Sequence, residues 1–495
     1  MLRTGQDYLA ALRDGRRVRI GAELVTDVAA HPAFRDTAAS FAALYDRKRA
    51  PEHRDALSFV PEDAGADGEP CSAWYLLPRD RADLRRRAEA HRRIAQWSHG
   101  LLGRSMDHFA SYVTGLRMCP ELFEGNRAGF GDNLVRYHAR MRREDLFTSY
   151  LVLSPQAARS AELYQRQAHG HPSLRIERED DDGIVVSGVK NFGTGVVFAD
   201  DAWIGNILPL DPAERAHALT CAVPLGSPGV SIWVREPFAL KARGPAENYF
   251  STHFDETDAV LVLERVKVPW ERVFLLDDPA LSRDIYFRTP AHLMGNHQST
   301  LRFVEKLKLL GGIAHKAAEL SGVLHLVPVQ QVLGRLAAFE ATLLALATAQ
   351  VEECESLVPG YVNVNRRYLY AAINACAHEY AGIADRVKEL LGANPFQMPA
   401  DASLFEDPDL RATFEAHWGA PGADATTRFG FVKLAWDLLG SDFGGRHTQY
   451  ERFYGGPVVV NDLYSFRHCP WEERRGAVDR LLDALPLPAA RRAAE

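Results

Sequence analysis

Residues 103–109, GRSMDHF, place an arginine, an acid and a histidine within five positions, just before a stretch of apolar periodicity. Arg104 offers a permanent positive charge and a fixed fork of N–H donors that can hold an oxygen atom of a ligand. His108 can take a proton near neutral pH. Asp107 is a favoured N-cap residue, so the same segment also reads as a helix start. The segment predicts a candidate catalytic cluster at a helix junction.

Composition narrows the class of protein. The chain of 495 residues has 46% apolar residues and a formal net charge of -7. No long basic run offers a path for nucleic acid, and no run of about 18 apolar residues lacks a charge, so we expect neither nucleic acid nor membrane as a partner. The six cysteines form no CxxC pair, and we expect no metal site. These features predict a cytoplasmic protein of two or three domains.

The periodicity of the apolar residues changes along the chain. Alternation within residues 16–34 predicts a short hairpin, and steps of three and four from Arg79 onward predict helices. Between residues 148 and 276, short β-branched runs broken by Gly, Asp and Pro predict an antiparallel β-barrel or sandwich. After Pro290, long amphipathic stretches predict a four-helix bundle. One of these stretches carries an apolar stripe of Leu333, Leu336, Phe339, Leu343 and Leu346.

This order predicts three domains. They are a mainly helical domain over residues 1–147, a β-domain over residues 148–276, and a helical bundle over residues 277–495. The α+β layout resembles that of the acyl-CoA dehydrogenase-like flavoproteins.

Five blocks of sequence carry a closer resemblance. They are residues 3–34, GRSMDHF, SGVKNFGTG, NHQSTLRFVEKLKLLGG and SDFGGRHTQYERFYGG. In this order they resemble the large oxygenase component of the 4-hydroxyphenylacetate 3-monooxygenase family, over about residues 3–480. The resemblance implies a two-component system in which a separate reductase makes reduced FAD, which diffuses to this protein and reacts with O2. It also implies that a C4a-hydroperoxyflavin hydroxylates an aromatic ring, typically ortho to a phenol, and that the chain forms a homotetramer or dimer. FMN in place of FAD stays open.

The implied chemistry sets requirements for the site. Such a flavin must be kept from water, so it belongs in a dry cleft between the β-domain and the helices. A phenol reacts better as its phenolate, so a cation or a base is needed near the ring hydroxyl. By resemblance, Arg104 is the active-site arginine and Ser105 lies beside the substrate.

Two positions depart from the family pattern. His108 stands where phenylacetate hydroxylases usually have tyrosine, and Tyr150 stands where they have a histidine that contacts substrate and flavin. The two residue types have exchanged places, which keeps a phenol and an imidazole in the cleft. We therefore expect hydroxylation of a substrate other than plain 4-hydroxyphenylacetate, such as a precursor of a secondary metabolite. A core histidine and a core tyrosine are the structural alternative.

The resemblance also implies the residues that hold the flavin. Contacts to its ring or ribityl chain are implied for Tyr150, Leu151, Val152, Gln156, Arg159 and Thr194. Contacts to its pyrophosphate, from a glycine loop, are implied for Gly444, Gly445 and Arg446, with the adjoining His447. Gln298 and Arg302 resemble contacts to the adenine half, from a neighbouring subunit; an exposed polar pair is the alternative.

Three further points stay open at the level of sequence. His292 or His297 is the phenol base by analogy with chlorophenol-hydroxylating relatives, although a histidine before a helix is more often structural. Asn206 and Ile207, by register, help to set specificity. Rival readings are a 4-hydroxybutyryl-CoA dehydratase, which needs cysteine ligands for an iron–sulfur cluster, an acyl-CoA dehydrogenase, and a silent flavin-binding subunit of the same fold.

Overall fold

The computed structural model describes residues 2–64, 68–159 and 173–485. The helices of the N-terminal half are α1 Gly5–Ala11, α2 Arg35–Arg49, α3 Pro51–Leu57, α4 Arg81–Trp97, α5 Met106–Arg117, α6 Pro120–Glu124, α7 Phe130–Glu144 and α8 Tyr249–His253. Those of the C-terminal half are α9 Pro279–Arg288, α10 Ala291–Leu320, α11 Val327–Glu352, α12 Arg366–Leu391, α13 Pro408–His417, α14 Ala425–Leu439, α15 Asp442–Phe453, α16 Val458–Arg467 and α17 Trp471–Asp483. The strands are β1 Val18–Ile20, β2 Glu23–Val25, β3 Ser58–Phe59, β4 Cys71–Ser72, β5 Thr148–Leu151, β6 Arg175–Asp180, β7 Gly183–Lys190, β8 Asp201–Ile204, β9 Leu219–Pro224, β10 Val230–Val234, β11 Ala259–Pro269 and β12 Val273–Leu276.

Two main sheets form the centre of the molecule. One has the order β2-β1-β10-β11-β7-β6 and the other has the order β12-β9-β8-β5. The predicted antiparallel β-domain also contains two parallel pairs, in which β1 runs beside β10 and β5 runs beside β8. Parallel strands need a long connection between them, and the two strands of each pair are far apart in the chain. The consequence for the site is that β5 ends beside β8, which brings residues 150–152 next to residues 203–207.

The hairpin at the N-terminus forms as predicted, with Val18 opposite Val25. It is not a separate unit, because β1 extends the larger sheet beside β10. The side chain of Val18 is fully buried in the main core. The sheet therefore takes two of its strands from before residue 148, and the boundary predicted at residues 147/148 stays a prediction.

The predicted bundle has α10 at its centre. This helix packs against α11 and α12 on one side and against α4 and α5 on the other. A helix surrounded in this way is apolar or paired on every face, and every residue from Ala291 to Leu307 is buried. Gly295 allows the closest approach, since a Cβ there would lie 1.8 Å from the ring of Tyr112 on α5. The last helices, α15 and α16, pack on α12.

The helix α11 is apolar in composition, yet much of its surface is exposed. Leu336 and Leu343 of the predicted stripe are buried, whereas Val327 and Leu344 are exposed. By length and composition alone, α11 could cross a membrane, and 17% of its most apolar window is buried. Its two charged side chains before the C-terminal end, Arg335 and Glu340, argue for a helix that packs on protein.

Candidate active site

Arg104 lies in the turn between α4 and α5. Its backbone N–H donates to the carboxylate of Glu256, in the loop before β11. Its guanidinium donates to Nε2 of His108 and, at 3.2 Å, to the carbonyl oxygen of Tyr454. The centre of the Tyr454 ring lies 4.0 Å from Cζ of the guanidinium, which is a cation–π contact. Arg104 is thus fixed where the β-domain, α5 and the C-terminal end of α15 meet.

His108 lies in the first turn of α5 and is buried. Burial lowers the pKa of its imidazole well below the usual value, and the charges of Arg104 and Arg302 lower it further. The ring is therefore neutral at pH 7. Because an arginine can only donate, Nε2 is the acceptor of the bond from Arg104, and the ring proton belongs on Nδ1.

Tyr150, in β5, completes this cluster. Its ring stacks on Phe109 with 5.2 Å between the centroids and lies 5.6 Å from the ring of His108. The Arg104 guanidinium lies 5.1 Å from the centre of the Tyr150 ring. The ring of Tyr112 also stacks on that of Tyr150, with 5.8 Å between the centroids. The two residues with exchanged types therefore face each other beside Arg104.

The prediction that Asp107 caps α5 is wrong. The helix begins at Met106 with Ser105 as its N-cap residue, and neither side chain caps it. The buried carboxylate of Asp107 accepts hydrogen bonds from Nδ1 of His91 at 2.8 Å, from the hydroxyl of Ser105 and from Nε2 of Gln298 at 3.3 Å. The Ser105 hydroxyl, predicted to lie at the substrate, is thus directed inward and helps to hold the Arg104 turn.

Two acidic residues that the sequence analysis did not single out, Glu256 and Asp258, support the other side of Arg104. Arg446 donates to both oxygens of Asp258, at 3.0 and 2.8 Å, and to Glu256 at 3.3 Å. Thr194 donates to Asp258 at 2.7 Å. Burial raises the pKa of a carboxyl, but Arg446 outweighs burial and holds the pKa of Asp258 well below its usual value. The sequence signal is the acidic run at residues 255–258, which is equally typical of an exposed turn.

Gly444, Gly445 and Arg446 lie in the first turn of α15, so the expectation of a loop is wrong. The N–H of Gly444 donates to the side-chain hydroxyl of Ser441 at 3.3 Å. The N–H of Gly445 donates to the backbone carbonyl oxygen of Ser441 at 2.9 Å. A Cβ at Gly444 would lie 2.4 Å from the carbonyl oxygen of Leu438. This glycine therefore permits close packing of α14 on α15, and its contact with a pyrophosphate stays a prediction.

Two buried polar atoms of α15 lack a hydrogen-bond partner in the protein. Within the part of the chain that the structure describes, the hydroxyl of Tyr450 and Nε2 of His447 make no hydrogen bond. A buried polar atom without a partner costs about 1–3 kcal/mol. Gly195, with φ +74°, brings its backbone close to Arg104, since a Cβ there would lie 3.4 Å from the carbonyl oxygen of Arg104. The polar edge of a flavin would supply the missing partners, so these residues fit such a group.

Gln298 and Arg302, on α10, are both buried, so the alternative of an exposed polar pair is wrong. Arg302 donates to the two carboxylate oxygens of Glu451, at 2.8 and 2.7 Å. Lys306 donates to Glu451 and to Nδ1 of His447, each at 2.8 Å. This network ties α10 to α15. The contact of Gln298 and Arg302 with the adenine half of FAD stays a prediction.

The segment after Tyr150 is held by backbone pairing. The carbonyl oxygens of Leu151 and Val152 accept from the N–H groups of Gly205 and Ile207, each at 3.2 Å. Leu151 is buried and Ile207 is partly buried against the core. Gln156 is exposed at the start of the 3₁₀ helix Gln156–Arg159, and the side chain of Arg159 lies outside the described part.

Asn206 is buried and fully hydrogen-bonded. Its Oδ1 accepts from Nζ of Lys190 at 2.7 Å, and its Nδ2 donates to the carbonyl of His217 at 3.0 Å. Direct contact of Asn206 with a substrate stays a prediction, since both ends of its amide already have protein partners.

The two candidate bases on α10 lie away from Arg104. His292 bonds through Nδ1 to the hydroxyl of Tyr370 at 3.1 Å, and His297 bonds through Nδ1 to Gln350 at 2.8 Å. Burial lowers the pKa of His292 to about 4 and that of His297 to about 3. The ring of Tyr112 contacts both His292 and Tyr150, with centroid distances of 6.4 Å and 5.8 Å. The role of either histidine as a base stays a prediction.

Comparison of the sequence with protein families shows the family to which this chain belongs. The profile of the 4-hydroxyphenylacetate 3-hydroxylase N-terminal domain matches residues 4–275, and that of the C-terminal domain matches residues 282–483. The chain belongs to the 4-hydroxyphenylacetate 3-hydroxylase family. It is therefore a flavin-dependent aromatic monooxygenase, the oxygenase component of a two-component system with FAD as its flavin and O2 as co-substrate.

Family members that are named for different activities are about equally similar to this chain. The chain is 30% identical to the pyoverdin chromophore biosynthetic protein PvcC of Pseudomonas aeruginosa, over 96% of this chain and 93% of that one. It is 31% identical to the (3S)-3-amino-3-(3-chloro-4-hydroxyphenyl)propanoyl-[peptidyl-carrier protein SgcC2] monooxygenase of Streptomyces globisporus, over 92% of this chain and 85% of that one.

Solved structures agree with the fold. The oxygenase component HpaB of 4-hydroxyphenylacetate 3-monooxygenase, complexed with FAD and 4-hydroxyphenylacetate, has a TM-score of 0.89 at 26% identity, covering 97% of this chain and 98% of that one. The 4-hydroxybutyryl-CoA dehydratase of N. maritimus has a TM-score of 0.85 at 15% identity, covering 100% and 98%. The latter shows a shared fold and no more. Within the described ranges, no three His, Cys, Asp or Glu side chains form a group that could hold a metal.

Proposed function

We propose that this family member hydroxylates a phenolic substrate other than plain 4-hydroxyphenylacetate, ortho to the ring hydroxyl. Reduced FAD, delivered by a separate reductase through free diffusion, supplies the electrons that activate O2. The observation that carries the proposal is the contact of Arg104 with a neutral His108 beside Tyr150. In this cluster the imidazole is an acceptor one helical turn from the arginine.

Arg104 supplies the charge that the reaction needs. A positive charge about 4 Å from a phenol oxygen stabilises the phenolate by about 4 kcal/mol at an effective dielectric constant near 20. That energy lowers the pKa of a phenol from about 10 to about 7. Two of the guanidinium nitrogens donate to His108 and Tyr454. Its Nε–H donates to none of the described residues and can meet the substrate oxygen.

His108 orients the substrate oxygen and does not remove its proton. A second positive charge beside Arg104 is unfavourable, which is why the pKa of His108 lies well below its usual value. A neutral ring keeps the hydrogen bond from Arg104, and so it positions the substrate oxygen by holding the guanidinium toward it. Tyr150 then bounds the cleft with its ring and offers its own hydroxyl to the substrate.

For the flavin we propose a place against residues 150–152 and Thr194, with the first turn of α15 at its phosphates. The charge cluster of Arg446, Asp258 and Glu256 holds β11, α15 and the Arg104 turn together. This keeps the cleft rigid and limits the entry of water. Gly195 lets the backbone approach the ring.

We also propose a cytoplasmic homotetramer or dimer, with neither nucleic acid nor membrane as partner. The exposed apolar side chains of Leu326, Val327 and Leu344 on and before α11 support a contact between subunits. Light scattering of the purified protein checks this point, since a monomer at micromolar concentration would contradict it.

The function is tested by turnover with a panel of phenols. Reduced FAD is supplied by a flavin reductase with NADH, and the products are separated and weighed by mass spectrometry. We expect at least one phenol to gain one oxygen atom ortho to its hydroxyl, with less hydrogen peroxide released than without substrate. Hydrogen peroxide alone, with every phenol in the panel, would refute the proposal and leave a silent flavin-binding subunit.

A further inference from the structure

The carboxylate of Asp107 joins the Arg104 turn to two other helices. Its Oδ2 lies 2.8 Å from Nδ1 of His91 on α4, and its Oδ1 accepts from the hydroxyl of Ser105 and, at 3.3 Å, from Nε2 of Gln298 on α10. None of the described arginine or lysine side chains forms an ion pair with this carboxylate, which is fully buried. A buried carboxylate without an ion-pair partner depends on its neutral donors. His91, Ser105 and Gln298 therefore fix the position of Asp107.

His91 is the donor on the α4 side. Burial lowers the pKa of its imidazole, so the ring is neutral at pH 7. A carboxylate only accepts, and the proton of the neutral ring therefore lies on Nδ1. Nε2 is left as an acceptor, 3.2 Å from the hydroxyl of Ser111, and Arg87 donates to that hydroxyl at 3.0 Å. Ser111 and Arg87 thus hold the ring with Nδ1 toward Asp107.

Asp107 is connected to Arg104 by two routes. Along the chain, Ser105, whose hydroxyl is bound to the carboxylate, directly follows Arg104. Through space, the amide of Gln298 donates to Asp107 and accepts from the hydroxyl of Tyr454 at 3.4 Å. Tyr454 is the residue whose carbonyl oxygen and ring contact the guanidinium of Arg104. A shift of Asp107 is therefore passed to the guanidinium both through the backbone and through Tyr454.

We propose that His91 is a positioning residue for the hydroxylation, acting through Asp107 to hold the guanidinium of Arg104 at the phenol oxygen. The inference rests on the proposed function, since the position of Arg104 matters in this way only if a phenolate forms beside it. A guanidinium that lies further from the oxygen stabilises the phenolate less. The alternative is that His91 holds α4 against α5 and affects stability alone.

Two substitutions of His91 separate the two bonds of its ring. The amide nitrogen of asparagine lies as many bonds from Cβ as Nδ1 of histidine, so His91→Asn keeps the donor to Asp107 and loses the contact with Ser111. The amide nitrogen of glutamine lies as many bonds from Cβ as Nε2, so His91→Gln keeps the contact with Ser111 and loses the donor. Asparagine leaves the larger cavity and has the lower helix propensity, so His91→Asn is expected to melt at the lower temperature.

Activity is expected to follow the opposite order. We expect kcat of His91→Gln to fall about tenfold and the rising limb of its pH profile to move to higher pH by about half a unit, because the pKa of the bound phenol rises. His91→Asn should keep the limb of the wild type although it melts at the lower temperature. A kcat that follows the melting temperature, with His91→Asn below His91→Gln and no shifted limb, would show a structural role and overturn the inference.

His138 is the matched control. It is a buried histidine of α7 whose Nε2 lies 3.2 Å from the hydroxyl of Thr114, so it also bonds to α5, but beyond the first turn that holds Asp107. His138→Gln is expected to lower the melting temperature and to leave the pH profile of kcat in place. A limb shifted as far as in His91→Gln would show that any loosening of α5 has this effect, and the inference would be wrong.

The double variant Arg104→Gln/His91→Gln tests the route. Once the guanidinium is gone, His91→Gln is expected to move the limb no further, and a further shift of about half a unit would mean that His91 acts on the phenol by another path. If Arg104→Gln moves the limb and His91→Gln does not, the inference is wrong and the proposed function stands. If Arg104→Gln itself leaves the limb in place, the role of Arg104 in the proposed function is wrong, and the inference is wrong with it.

Discussion

The guanidinium of Arg104 donates a hydrogen bond to Nε2 of His108, four residues further along the chain. Arg104 precedes α5 and His108 lies in its first turn, so the contact crosses the start of the helix. The bond fixes the tautomer of the imidazole. It also holds the guanidinium beside the ring of Tyr150, 5.1 Å from its centre.

Replacing His108 by Phe keeps an aromatic ring on α5 and removes the acceptor for Arg104. We expect kcat/KM for hydroxylation to fall roughly 10- to 100-fold, the value of one hydrogen bond to a charged group. The measurement is the initial rate of product formation as a function of phenol concentration, with reduced FAD in excess. His378→Phe is the matched control, since His378 is about half exposed and pairs with Asp462 far along the chain. Equal activity of both variants would contradict a role for His108.

Replacing Arg104 by Gln removes the charge that stabilises a phenolate. The pKa of the bound phenol then rises toward about 10. We therefore expect the rising limb of the pH profile of kcat to move to higher pH by at least about one unit, besides a loss of rate. Profiles of wild type and variant between pH 6 and 10 check this. An unshifted profile would show that another group controls ionisation of the phenol.

Gly103 leaves room for the ring of Tyr450, since a Cβ there would lie 2.2 Å from the hydroxyl oxygen. Gly103→Ala is expected to cost about 1–3 kcal/mol of stability, as overpacking does, and to displace Arg104. Tyr450→Phe removes the hydroxyl, so the double variant should recover part of the lost melting temperature. No recovery in the double variant would mean that the strain lies in the backbone.

The carboxylate of Glu451 is the buried partner of Arg302 and Lys306, and the three side chains are 1%, 2% and 0% exposed. Glu451→Gln leaves two buried cations with one neutral acceptor, and we expect a loss of about 3–5 kcal/mol in the free energy of unfolding.

The control for this loss is an exposed ion pair. Asp277→Asn removes the partner of Arg215, where the side chains are 53% and 63% exposed, and should cost at most about 1 kcal/mol. Thermal melts at pH 7 compare the two variants. Similar melting temperatures would argue that the Glu451 network is solvated.

His297 makes the stability of the protein sensitive to acid. Its pKa is about 3 in the folded chain and about 6.5 when unfolded, so below pH 6.5 only the unfolded state binds the proton. Its contribution is complete above pH 6.5 and decreases as the pH falls, by up to about 1.4 kcal/mol per pH unit. His297→Gln is expected to flatten the decline in melting temperature between pH 7 and pH 5. Parallel declines would contradict the lowered pKa.

The sequence by itself determined the order of the elements, the class of fold and the family. It also determined that Arg104 and His108 lie near one another, because a separation of four residues at a helix start is a local relation. The exchange of residue types at positions 108 and 150 is likewise visible in the sequence. The fold then brings the two rings into contact. The apolar stripe of α11 is also visible in the sequence, because its residues recur at steps of three and four along one helix.

Only the tertiary structure decided what surrounds this pair. The partners of Arg104 are Glu256 and Tyr454, 152 and 350 residues away in the chain, and no local pattern encodes such a pairing. The residue type of Asp107 predicts a helix cap, but in the folded chain His91 and Gln298 donate to its carboxylate. Burial, which lowers the pKa of His108, is likewise a property of the packed chain. Local spacing set which side chains could act, and packing set their charge and their partners.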